Sequence, residues 1–156
     1  MQEWGDARRA PYAGTYCRMQ SPGGVPLAGS VTNIEEATLR NTDFRCVLYT
    51  AEHMQLVVMS LAPGEDIGEE VHHLDQFIRV EAGQGAVVLN GERQDFPAGH
   101  VVVVPAGTRH NIVNTSSRDP LKLYTIYAPP AHPAHTVHAM RADAVAAEAR
   151  EHAGRS

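Results

Sequence analysis

The sequence predicts an all-β fold of the barrel or sandwich kind, and three observations predict it. From Phe44 onward apolar residues recur with a period of two in short runs rich in Val, Ile, Leu and Tyr. Turn formers separate those runs at nearly regular intervals: Pro63-Gly64, Gly83-Gln84-Gly85, Asn90-Gly91, Pro97-Ala98-Gly99 and Pro105-Ala106-Gly107. With 156 residues, 43% of them apolar, the chain can bury one substantial core without disulfide staples and is too short for two ordinary domains.

Residues 1–38 read as an irregular arm, because Ser21-Pro22-Gly23-Gly24-Val25-Pro26 and Gly29 break helices and strands alike. Near its end Asn33 can cap and Glu36 follows three residues later, which predicts about one helical turn through Ile34 to Leu39. Strands are expected over 44–50, 55–61, 76–81, 86–89, 101–104 and 121–127, making residues 39–130 the barrel. Asn90-Gly91 is the sharpest turn signal, since a type I′ hairpin needs positive φ at both central residues. Residues 131–156 form a C-terminal crossing and a short helix. In the crossing His132, His135 and His138 read as surface histidines, because Pro129, Pro130 and Pro133 prevent a helix from aligning them. The helix is expected over 143–152, where Ala144, Ala146, Ala147 and Ala149 are strong helix formers.

Lys and Arg number 13 against 18 Asp and Glu, a net charge of -5. That balance lacks the basic footprint that nucleic acid or an anionic membrane surface selects, so neither is expected as a partner. Met1 to Ala10 carries no apolar stretch of the kind a secretory leader needs. No uncharged apolar run approaches the ~20 residues of a membrane span, the nearest being Val101 to Val104. A cytoplasmic protein is expected, with Cys17 and Cys46 as reduced thiols.

Two segments concentrate the chemistry. The second runs from Gly99 to Asn114, with Pro105, Gly107 and His110 between; the first runs from Gly64 to Gly83, with Glu70, His72 and Gln76 between. Here the sequence resembles the cupin superfamily. Gly99, Pro105, Gly107, His110 and Asn114 meet every fixed position of the family's second motif, G-x5-P-x-G-x2-H-x3-N. The first motif, G-x5-H-x-H-x3-4-E-x6-G, is matched in spacing by Gly64 and Gly83, with two chemical positions changed. The resemblance implies a cupin double-stranded β-helix, a jelly-roll barrel, with a short C-terminal helix and an irregular N-terminal arm. It also implies a homodimer.

In the family the metal is held by two His and a Glu of the first motif and the His of the second. Glu70, His72, Gln76 and His110 occupy those places. Strand geometry selects among neighbours: residues two apart share a face, so Glu70 and His72 would point inward while Val71 and His73 point away. Gln76 would return inward on the next strand with Ile78 and Val80, leaving Phe77, Arg79 and Glu81 outside. Three neutral His and one carboxylate give a charge of -1, and Glu70, His72, neutral Gln76 and His110 give the same. One divalent transition ion, Zn, Fe, Mn, Ni or Co, is therefore expected, with Gln76 the weakest ligand. His53, His73 and His100 read as surface or packing residues, Arg109 as a solvated side chain, and Tyr49, Tyr124 and Tyr127 as core.

The resemblance extends to small bacterial single-domain cupins often described as mannose-6-phosphate isomerase-like. It implies a metal-dependent isomerase or lyase acting on a small sugar-like or keto substrate through a Lewis-acid metal and enediolate chemistry, with Glu70 as the base. Two alternatives stand beside it. Glu70, His72 and His110 also form the two-His, one-carboxylate set of Fe(II)-dependent dioxygenases, and a cupin barrel can bind a small molecule without turning it over. No Lys/Arg cluster suited to a substrate phosphate is evident.

Overall fold

Two antiparallel sheets make up the fold in the computed structural model, which describes residues 28–154. The expected N-terminal arm lies outside the described residues up to position 27. Helix α1 (Ile34–Arg40) follows, and Asn33 caps it as the sequence suggests, its side-chain oxygen accepting from the Glu36 amide at 3.1 Å.

Then come β1 (Arg45–Thr50), β2 (Gln55–Leu61), β3 (Asp75–Ala82), β4 (Gly85–Leu89), β5 (Glu92–Asp95), β6 (Val101–Val104), β7 (His110–Asn114), β8 (Leu121–Ala128) and β9 (Val137–His138), and finally α2 (Arg141–Ala153). One sheet has the order β6-β3-β8-β2-β1-β9, the other β5-β4-β7. The main core lies between them, where Val57, Leu61, Ile78, Ile112, Leu121 and Leu123 are each at most 1% exposed. A smaller cluster of Ala37, Cys46, Leu48 and Val58 fills the space under α1.

β3 alternates as expected: Gln76, Ile78 and Val80 are buried, Phe77, Arg79 and Glu81 less so. Asn90 and Gly91 have φ of 49° and 87° and close the β4–β5 hairpin. Three strands go beyond the sequence expectation. β5 is Glu-Arg-Gln-Asp, exposed at all four positions, so no apolar alternation announces it; pairing with β4 alone makes it a strand. β7 alternates, but His110 and Asn114 occupy inward places beside Ile112. β9 has only two residues.

Two expectations need correction. Glu70 and His72 do not lie in a regular strand; residues 66–72 run extended and touch β7 at the isolated bridges Asp66↔Val113 and Glu70↔His110. Cys46 is disulfide-bonded, not a free thiol. Charge and the lack of a leader bear on compartment and say nothing of which sulfurs meet in the fold. Among the described residues no helix is long and apolar enough to cross a membrane.

Candidate metal centre

The first site residue to be placed is His110, at the start of β7. It is 1% exposed, and its Nδ1 lies 3.0 Å from the Thr108 carbonyl. A carbonyl can only accept, so Nδ1 carries the proton and Nε2 presents a lone pair. That Nε2 is buried without a hydrogen-bond partner.

Glu70 is aligned to His110 by backbone alone. The Glu70 amide donates to the His110 carbonyl and the His110 amide donates to the Glu70 carbonyl, both at 2.9 Å. The same register sets His72 two residues on, where its carbonyl accepts from the Gly107 amide at 2.8 Å. The two side chains, 16% and 26% exposed, converge while Val71 is 53% exposed and His73 is exposed.

Glu70 Oε2 sits 2.9 Å from His72 Nε2 and 3.9 Å from His110 Nε2. One ligand atom from each of the three residues lies within 4.8 Å of the others. Ligand atoms ~2.0–2.2 Å from a tetrahedral ion stand about 3.4 Å apart. The observed distances straddle that value, so small side-chain rotations would bring the three atoms to a common ion.

Gln76 enters from the opposite sheet. It is 3% exposed, and its Nε2 donates to Thr125 Oγ1 at 3.0 Å, which leaves Oε1 as the outward-facing acceptor of that amide. Oε1 is buried and has no partner. A buried acceptor left unmade costs about 1–3 kcal/mol, so the fold holds two such atoms, His110 Nε2 and Gln76 Oε1, at a cost that a cation would offset.

Sequence reasoning missed the residues beside this group. Tyr127, expected only as core, pairs with Gln76 across the β3–β8 ladder and meets His72 edge-on at 6.1 Å. Burial, above all, holds its phenol protonated well beyond the usual range. His132, read as a surface histidine, packs edge-on against Tyr127 at 5.2 Å. Gln55 clamps it there: Gln55 Nε2 donates to the His132 carbonyl at 2.8 Å, and Oε1 accepts from the His132 amide at 3.0 Å. Burial first, then the charge of Arg45, pushes the His132 pKa down to about 3, so the ring is neutral. His138 is also half-buried, opposite Arg45 in the β1–β9 ladder, whereas His135 is exposed as expected. Arg45 itself is 2% exposed, and nothing in the sequence pattern flagged it except a charge inside an apolar run.

Other residues stay where the sequence put them. His53, His73 and His100 are exposed, and Arg109 is solvated, with only Glu69 near at 3.6 Å. The family model for the Cupin domain matches residues 57–127. The chain is 52% identical over 126 residues to uncharacterized protein YrkC of Bacillus subtilis (strain 168), which covers 76% of this chain and 67% of that protein. It is 49% identical over 104 residues to uncharacterized protein L612 of Acanthamoeba polyphaga mimivirus, covering 64% of each. The chain thus spans about two thirds of the length of these curated relatives. The crystal structure of BH2720 from Bacillus halodurans aligns with a TM-score of 0.73 at 48% identity, over 75% of this chain and 93% of that one.

Proposed function

The chain belongs to the cupin superfamily, and on that premise we propose that it is a metal-dependent enzyme, an isomerase or lyase of the mannose-6-phosphate isomerase-like kind, acting on a small sugar-like or keto substrate. One observation carries the reading: two buried donor atoms without partners, His110 Nε2 and Gln76 Oε1, accompany the Glu70 and His72 side chains. Glu70, His72 and His110 would hold one divalent transition ion, with Gln76 as the fourth and weakest donor. When bound, such an ion supplies Lewis acidity toward a carbonyl or hydroxyl oxygen.

The chain's own residues do the rest. Glu70 is the only carboxylate of the group, and Oε2 is the atom that takes and returns a proton between adjacent substrate carbons. His72 steadies that oxygen at 2.9 Å. The Thr108 carbonyl keeps the proton of His110 on Nδ1. Tyr127 and His132 wall the group with ring edges and keep water from its flank.

The test is the metal content of tag-free protein purified without chelator. About one equivalent of Zn, Fe, Mn, Ni or Co is expected in wild type and in His73→Ala, and little in Glu70→Ala or His110→Ala. A wild type that lacks metal and refuses added metal overturns the reading in favour of a non-catalytic binding cupin. Interconversion of candidate substrates under argon then tests the isomerase or lyase chemistry. A second reading has its own support, because two His and one carboxylate suit Fe(II) and oxygen. Oxygen uptake that depends on added Fe(II) would select a dioxygenase instead.

A further inference from the structure

Arg45 is among the largest fully buried side chains and the one among them that carries a permanent charge. A guanidinium has five N–H donors, and burying them unmet is costly. Here Nη1 donates to Glu148 Oε1 at 3.2 Å, while Nε is buried with no partner. Glu148 is 46% exposed, so it is a weak match for a guanidinium at 2%. If Arg45 served only to anchor α2, the orphaned Nε would cost about 1–3 kcal/mol with no return.

A second unmet atom lies on the same side of the fold. His132 Nε2 is buried without a partner, on a ring that Gln55 holds in place. The two are close enough for the Arg45 charge to act on His132. From His132 the contacts are continuous: its ring meets Tyr127 at 5.2 Å, Tyr127 meets His72 at 6.1 Å, and His72 meets His110 at 5.5 Å. Unsatisfied polar atoms therefore stand at both ends of one contact path, two at the metal end and two at the Arg45 end.

We propose that Arg45 and His132 form a carboxylate-binding subsite beside the Glu70–His72–His110 group, so that the substrate is a small organic acid. This rests on the metal reading and narrows its substrate class to keto or hydroxy acids, the carboxylate resting on the guanidinium while a carbonyl or hydroxyl oxygen faces the metal end. A carboxylate is favoured over a phosphate by charge. One guanidinium already shared with Glu148 suits a monoanion, and His132 is a neutral hydrogen-bonding partner, not a second cation.

The experiment titrates the full chain, metal-loaded and metal-free, with malonate, succinate and glutarate and with the diamide of each, reading affinity by calorimetry and by the rise in melting temperature. At least one acid is expected to bind with affinity well above its diamide. Arg45→Met should weaken that acid by about tenfold or more with metal content unchanged, the loss of a charge-assisted contact. If Arg45→Met does not fold, Arg45→Lys keeps the charge and loses the Nε donor, and should also weaken the acid. Acids that bind no better than their diamides, or variants that bind the acids as wild type does, overturn the proposal. A wild type that takes no metal but still prefers acid to amide sinks the metal reading alone, because the two failures are read in different arms.

Discussion

Asn114, the last fixed residue of the second motif, serves the fold and not the ion. It is 1% exposed, its Nδ2 donates to the carbonyls of Leu61, Ala62 and Asp119, and its Oδ1 accepts from Ser116. Asn114→Ala strips partners from buried backbone groups and should cost about 2–4 kcal/mol in urea unfolding, while metal content stays at the wild-type level. A matching loss of metal in well-folded Asn114→Ala would contradict that division of labour. At this scale the sequence is legible where spacing decides and silent where distant segments meet. The two-residue step separates His72 from His73 without any structure. Nothing local reveals Arg45 or His132, because the first is buried under α2 through Glu148 and the second is held by Gln55, 77 residues away in the chain.

Turns are where local sequence speaks most clearly for the elements, and two glycines show why their costs differ. Gly91 has φ 87° with nothing within 4 Å of the place a methyl group would take, so alanine there meets only backbone strain, about 1–2 kcal/mol. At Gly83, φ 103°, a Cβ would come within 2.6 Å of the Pro120 carbonyl, and backbone has to move. Gly83→Ala should therefore lower stability by about 3 kcal/mol or more, clearly beyond Gly91→Ala, as chemical denaturation of the pair would report. Equal losses would mean that the β3–β4 turn yields easily. The strands with alternating apolar residues were legible for the same local reason. β5 was not, since a four-residue polar edge gains its hydrogen bonds from β4 and buries nothing. β7 was hidden by its function, because polar residues His110 and Asn114 take places that a core strand gives to apolar ones.

Acid should loosen the whole molecule through His132. In the unfolded chain this ring titrates near its ordinary 6.5, and in the fold near about 3, so as pH falls the unfolded state takes the proton first. Stability that is full above pH 6.5 is then lost between pH 6.5 and 3, by up to about 1.4 kcal/mol per pH unit. Melting temperatures across that range should fall more steeply for wild type than for His132→Asn, and parallel curves would show that His132 does not carry the effect. The closure over this region is long-range: α2 reaches β1 through Glu148 and the 66–72 segment through Arg141, whose Nε donates to the Asp66 carbonyl at 2.7 Å and whose Nη2 lies 3.0 Å from Asp66 Oδ1. The reciprocal amide bonds between Glu70 and His110 belong to the main chain, and so they survive any change of the side chains they carry. That makes the centre a socket with exchangeable parts: donor types can trade places at constant charge while the frame stays put. The exchange Glu70→His with Gln76→Glu should accordingly hold about one equivalent of metal where Glu70→Ala holds little, a result that elemental analysis of the purified double variant would give directly.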